Sequence, residues 1–274
     1  MSFMEDPRRL EPATPTPAAP NGGHGLPGKV ALVGAGPGPV DLLTVRAARV
    51  LSEAQAVLYD HLVSAEVLAL VPSTAQRIYV GKESACHSMP QAGIIALMLR
   101  MAQAGTPLVR LKGGDSFIFG RGGEEAVALA QAGIPFEVVP GVSAAQGAGA
   151  GAGIPLTHRD HAGTLVLATG HLRGQHESAL DWALLARPRQ TVVFYMGVAT
   201  LPTICAQLQA HGLPGSTPAA IVERATMPDQ RCIVGTLLTL PELAVTQQVK
   251  APALVIVGEV VALQPVLAQT LVRA

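Results

Sequence analysis

The 274 residues carry 19 basic and 19 acidic side chains, a formal net charge of zero, so no global field draws in nucleic acid or an anionic membrane surface. Charged residues make up only 14% of the chain, and any anionic ligand must be met by a local basic cluster. The length suits two ordinary domains, and three scattered cysteines, Cys86, Cys205 and Cys232, argue against a disulfide framework or a zinc site and for the cytoplasm.

Residues 1–28 hold Pro7, Pro12, Pro15, Pro17, Pro20 and Pro27 among Ala, Thr and Gly, a composition that buries too little to offset its ordering entropy, so a disordered tail is expected. Its start lacks the apolar run of a signal peptide, and the most apolar later stretch, 251–261, is short; no membrane span is expected. Residues 29–33 read as a strand, 34–44 as a loop, 45–54 as a helix and 56–59 as a second strand that ends at Asp60. The alternation continues with a helix at 64–70, a strand at 77–80 ending on Gly81-Lys82, a helix at 91–104 and strands at 107–111 and 136–139. Apolar strands separated by helices indicate a parallel sheet covered on both faces.

Between the last two of those strands lies 110–125, RLKGGDSFIFGRGGEE, read as the loop leaving a strand's carboxyl end, where open α/β sheets bind ligands. Gly113-Gly114 and Gly122-Gly123 bracket Phe117-Ile118-Phe119, which suggests backbone brought close to a flat ligand; the alternative is a plain glycine-rich loop with both phenylalanines plugged into the core. A helix or loop of small residues follows at 143–153, then a connection at 154–160. The second half reads as strands at 164–168, 191–195, 218–222, 231–235 and 253–257, with helices at 179–186, 201–210 and 240–245. The pair 219–222 and 232–234 looks antiparallel, so a mixed sheet is expected there. The expected organisation is thus α/β: a parallel-sheet domain over 29–157, a mixed-sheet domain over 158–263, a tail over 264–274 and the active site in the cleft between the domains.

Gly34-Ala35-Gly36-Pro37-Gly38 approaches a dinucleotide fingerprint, but Pro37 lacks the N–H a phosphate cradle needs and Pro39 stands at the sixth position, so NAD is rejected. Asp60, Lys82 and Asp115 fall at or just past carboxyl ends of parallel strands and so on one rim, where acid and base groups belong; the plainer reading makes Asp60 a helix cap and Lys82 a solvated charge. His87, His158, His161, His171 and His176 show no metal-binding spacing.

VGAGPG at 33–38, YDHLV at 59–63, VGK at 80–82, the central stretch at 110–125, VVPGVSA at 138–144, GIPLTHRD at 153–160 and VERAT at 222–226 together resemble the uroporphyrinogen-III C-methyltransferases, within the S-adenosylmethionine-dependent tetrapyrrole methyltransferases. The resemblance runs from about 29 to 263. It implies two α/β domains in a homodimer, S-adenosylmethionine as methyl donor with S-adenosylhomocysteine as product, and a tetrapyrrole methylated twice to precorrin-2 for sirohaem, cobalamin or haem d1. Cofactor contacts carry over to Pro37, Gly113, Gly114, Asp115, Ile118, Ser143, Ala144, Met196 and Ala225, and the family's proton acceptor and donor to Asp60 and Lys82. The family often has Gly where Ala225 stands, and its polar helix after Pro-Gln reads here Ala92-Gly93-Ile94-Ile95. A substrate rimmed with carboxylates calls for cations: Arg110 is the first choice, entering the central loop directly, followed by Arg46, Arg121, His158 and Arg159. A sister enzyme acting later on corrins and a non-catalytic sensor of the same ligands are the alternatives.

Overall fold

The computed structural model describes residues 28–81, 89–171 and 180–272. Lys82 and residues 1–27 of the expected tail over 1–28 lie outside the described residues.

The first sheet contains β1 (Val30–Gly34), β2 (Ala56–Tyr59), β3 (Gln76–Tyr79), β4 (Leu108–Lys112) and β5 (Phe136–Val139), in the spatial order β3-β2-β4-β1-β5 with every pairing parallel. The helices between them are α1 (Val45–Ser52), α2 (Ala65–Ala69), α3 (Gln91–Gln103) and α4 (Gly122–Gln131). Ala47 and Leu51 of α1 and Val67 of α2 bury into one face, while Met98 of α3 and Leu129 of α4 bury into the other. Neighbouring β1 and β4 therefore send their helices to opposite faces, and this splays their carboxyl-terminal loops into a crevice, the switch point of a doubly wound sheet.

The second sheet contains β6 (Thr164–Thr169), β7 (Gln190–Tyr195), β8 (Pro218–Glu223), β9 (Arg231–Thr236) and β10 (Ala253–Val257), ordered β6-β7-β10-β8-β9. Only β6 and β7 run parallel; β8 and β9 form the expected antiparallel pair, so the sheet is mixed. Leu201, Ile204 and Leu208 of α7 (Leu201–Ala210) cover one face beside Phe194 and Ile221. Along the edge of that core lie α6 (Trp182–Leu185) and α8 (Leu240–Thr246).

The other face is covered by α5 (Ala144–Ala152), which precedes the expected boundary at residue 157. The small-residue stretch is a helix with a full capping box, Ser143 with Gln146. Its Ala145, Ala148 and Ala152 bury against Val193, Val222, Leu254 and Ile256, so by packing α5 belongs to the second sheet. Residues without bulky side chains let the helix axis approach closely: a Cβ on Gly147 would stand 2.7 Å from Pro37 Cβ. Residues 264–272 are not a plain tail either, for α9 (Gln264–Leu267) and Leu271 lie against the Gly153 end of α5.

Candidate active site

Three carboxyl-terminal loops of the first sheet meet backbone to backbone. Gly36 and Gly114 exchange hydrogen bonds, Gly36 N–H to Gly114 O at 3.1 Å and Gly114 N–H to Gly36 O at 2.7 Å. A Cβ on Gly141 would lie 2.3 Å from Gly114 O, so only glycine permits this contact. Asp115 clamps the arrangement: Oδ1 accepts from Phe117 N at 2.8 Å and Oδ2 from Gly141 N at 3.0 Å. Its carboxylate, expected to serve a cofactor, is thus first a brace between the loops after β4 and β5.

The central loop is shorter than expected, because α4 starts at Gly122 and the second glycine pair opens the helix. Gly122 N–H donates to Ser116 O at 2.9 Å, closing the turn. Phe117 and Phe119, at 54% and 39% exposure, are not plugged into the core, whereas Ile118 packs beside Ala144 and Ala225 against the Tyr195 cluster. Phe119 adopts a left-handed backbone, φ 52°, and its ring lies 4.7 Å from that of Tyr195.

Elements of the second sheet close the other side. Met196 follows β7 in a left-handed conformation, φ 56°, with half its surface exposed. The first turn of α5 faces the loop after β4, for a Cβ on Gly114 would meet Ala144 N at 3.4 Å. Ser143 Oγ accepts from Gln146 N and Tyr195 Oη from Ala145 N, leaving Ala144 N–H as the donor neither of these caps meets. Pro37 packs against α5 at Gly147, where Thr226 also arrives. Of the residues expected to serve the cofactor, Pro37, Gly114, Asp115, Ile118, Ser143, Ala144 and Ala225 are thus drawn together by contacts among the loops after β1, β4 and β5, α5 and the second sheet, while Gly113 lies against Leu62 and Met196 follows Tyr195.

Beneath its rim lies a buried charge cluster. Glu125, wholly buried in the first turn of α4, accepts through Oε1 from Gln91 Nε2, Arg110 Nε and Lys112 Nζ at 3.0, 3.1 and 3.2 Å. Arg110 Nη1 donates to Leu111 O at 3.0 Å and Leu58 O at 3.4 Å, and Nη2 stands 3.6 Å from Asp60 Oδ2. This corrects the expectation for Arg110: 3% exposed and committed to protein acceptors, it cannot present its fork to a substrate carboxylate. Asp60, directly after β2 and one-fifth exposed, accepts from Leu62 N at 3.2 Å. Burial and the neighbouring Arg110 charge push the Lys112 ammonium below its usual value, Glu125 partly opposing them.

The other proposed cations scatter. Arg46 pairs with Glu137 on edge strand β5, as does Lys29. His158 and Arg159 sit in a hairpin whose carbonyls at Asp160 and Arg159 accept from Arg189, just before β7, at 3.0 and 2.9 Å. Met196 follows the opposite end of that strand, about 17 Å away at the usual rise per residue. Arg121 alone stays near the crevice with an exposed side chain, in a two-pronged pair with Glu124 at 2.8 and 2.7 Å that raises the arginine and lowers the carboxyl. The sequence reading missed Lys112, Gln91 and Tyr195, whereas a pairing of Arg110 with Glu124 or Glu125 is the plainer alternative the sequence allows, and Glu125 is the partner. A charge pattern Arg-x-Lys in an otherwise apolar strand was the available signal for Lys112; nothing local marks Gln91 or Tyr195.

The sequence profile of the tetrapyrrole (corrin/porphyrin) methylases matches residues 29–241. Siroheme synthase of Methylococcus capsulatus is 55% identical over 241 residues, 88% of this chain but 51% of its own, and that of Nitrosomonas europaea is 54% identical over 88% and 50%. The chain thus spans about half the length of the curated relatives it matches. A uroporphyrin-III C-methyltransferase from Thermus thermophilus superposes with a TM-score of 0.74 at 44% identity, covering 86% of this chain and all of that one; another structure, in complex with S-adenosylhomocysteine, gives 0.73 and 43%, with 86% and 100% covered. A cobalt-precorrin-4 methyltransferase aligns with a TM-score of 0.74 at 27% identity, over 85% and 95% of the two chains.

Proposed function

The chain belongs to the tetrapyrrole (corrin/porphyrin) methylases, and from that premise we propose that it methylates uroporphyrinogen III at two ring carbons, using S-adenosylmethionine, to give precorrin-2 for sirohaem, cobalamin or haem d1. The observation that supports this most is the convergence on one crevice of the residues that the resemblance assigns to the cofactor. The crevice suits such a ligand chemically: the Ala144 N–H at the start of a nine-residue helix favours a carboxylate, and Ile118, with half-exposed Met196 after β7, offers apolar surface for an adenosine.

When bound, the cofactor supplies an electrophilic methyl group on sulfur. The protein's share is to hold two reactants in line and to take one proton from the ring. Asp60 at the rim is the proton acceptor, and Lys82 the donor of the resemblance. Arg121, exposed and near the crevice, is the cation for a substrate carboxylate, while Arg46, His158 and Arg159 are released from that role. The enzyme acts as a cytoplasmic homodimer; among the described residues no helix is long and apolar enough to cross a membrane.

The experiment is anaerobic incubation with uroporphyrinogen III and labelled S-adenosylmethionine. Two labelled methyl groups per tetrapyrrole are expected. No transfer to uroporphyrinogen III, with transfer to a later corrin precursor, would replace the reading with that of a sister enzyme. Light scattering of the purified chain tests the dimer.

A further inference from the structure

Glu125 is fully buried, yet its carboxylate is served unevenly: Oε1 accepts from Gln91, Arg110 and Lys112, while Oε2 has no partner among the described residues. Burying two cations around one anion is a poor route to stability, because the cost of desolvating the charges rivals their attraction. An orphan oxygen adds to that cost. The reach of the network accounts for it better than its strength. Glu125 fixes Arg110 by Nε, two carbonyls fix Nη1, and the remaining edge of the guanidinium then faces Asp60 Oδ2. Side-chain exposure rises along this line from 0% at Glu125 through 3% at Arg110 to 20% at Asp60, so it runs from the core to the rim. Asp60 is otherwise held only by Leu62 N–H on its other oxygen, among the described residues.

We infer that Glu125 is a positioning residue for methyl transfer: through Arg110 it sets the direction in which the Asp60 carboxylate meets the proton leaving the substrate ring. The inference rests on the reading of the chain as a uroporphyrinogen methyltransferase with Asp60 as proton acceptor. In that step the ring carbon forms its bond to the methyl group, the sulfur–methyl bond breaks, and the ring proton passes to Asp60. A carboxylate turned away from that proton slows the reaction without altering how the methyl donor is held.

The test is a double-mutant cycle in the full chain. Glu125→Gln removes the charge but keeps the shape, and Glu125→Asp keeps the charge but withdraws it by one methylene; each is made alone and with Asp60→Ala. Single-turnover methylation of uroporphyrinogen III should fall about 10- to 100-fold in either Glu125 variant. S-adenosylhomocysteine affinity by calorimetry should stay within about threefold of the parent, and in the Asp60→Ala background the further loss of rate should be under about threefold, since an absent carboxylate cannot be misdirected. A merely structural role would lower the melting temperature and leave the two losses multiplicative, which overturns the inference. Where Glu125→Gln does not fold, the Glu125→Asp cycle decides. A parent enzyme that transfers no methyl group overturns the functional reading itself, whereas multiplicative losses in an active parent overturn only the positioning line.

Discussion

Tyr195 Oη, at the end of β7, accepts the Ala145 N–H 3.0 Å away in the first turn of α5. The bond joins the second sheet to the helix whose amino end forms one wall of the crevice. Ala145 is buried, so Tyr195→Phe strands a donor with no water to replace the hydroxyl, at a cost of about 1–3 kcal/mol. Both the melting temperature and S-adenosylhomocysteine affinity are expected to fall. Unchanged calorimetric affinity would show that the helix end does not hold the ligand.

Asp115 braces two loops through Phe117 N and Gly141 N. Asp115→Ala frees both donors, and the loop after β4 should lose its fit to the cofactor before it loses anything else. The expected result is a fall of at least about tenfold in S-adenosylhomocysteine affinity, as for loss of a charged hydrogen bond, with single-turnover rate at saturating cofactor much less affected. Equal affinity in variant and parent would remove Asp115 from the cofactor side.

The alternation of strands and helices was legible because continuous apolar strands and short glycine- or proline-marked turns leave a local record. The crevice was legible for the same reason: RLKGGD and VVPGVSA announce strand ends at which backbones must touch. The roles of charged residues were not. Arg110 sits next to a glycine-rich loop and reads as a ligand contact, but its fate is decided by Glu125, fifteen positions away in sequence, and by Asp60 on another strand. His158 and Arg159 follow a well-marked motif, but no local pattern places their hairpin beside Arg189 at the amino end of β7. The α5 stretch was ambiguous since Gly and Ala at most of its positions carry no periodicity; in the structure Ser143 and Gln146 cap it and its alanines pack on the second sheet.

Arg121 and Glu124 form an exposed pair three residues apart, the kind worth about 0–1 kcal/mol. Arg121→Ala should therefore leave the melting temperature nearly unchanged. If Arg121 meets a substrate carboxylate, KM for uroporphyrinogen III should rise about tenfold with little change in S-adenosylhomocysteine affinity, as expected for one charged hydrogen bond. A KM equal to the parent's would leave the crevice without a substrate cation among the described arginines.

Lys112 gives a prediction whose sign depends on pH. Burial first, and then the Arg110 charge, lower its ammonium from the ordinary 10.5, while Glu125 pulls the other way and does not win. In the unfolded chain the amine keeps its ordinary value. Between the two values the unfolded state binds more protons than the folded one, so stability contributed by this site rises with pH through that alkaline window. Below the folded value both states are protonated, and the full cost of burying the charge is present. Lys112→Met removes the titrating group but keeps a chain of similar length in a site that is 4% exposed. The difference in stability, parent minus variant, should therefore climb in favour of the parent as the pH rises toward 10.5. Denaturant melts of both proteins across that range measure it. A difference that stays constant, or that falls as the pH rises, would mean that Glu125 outweighs burial and that Lys112 is held charged by its partner.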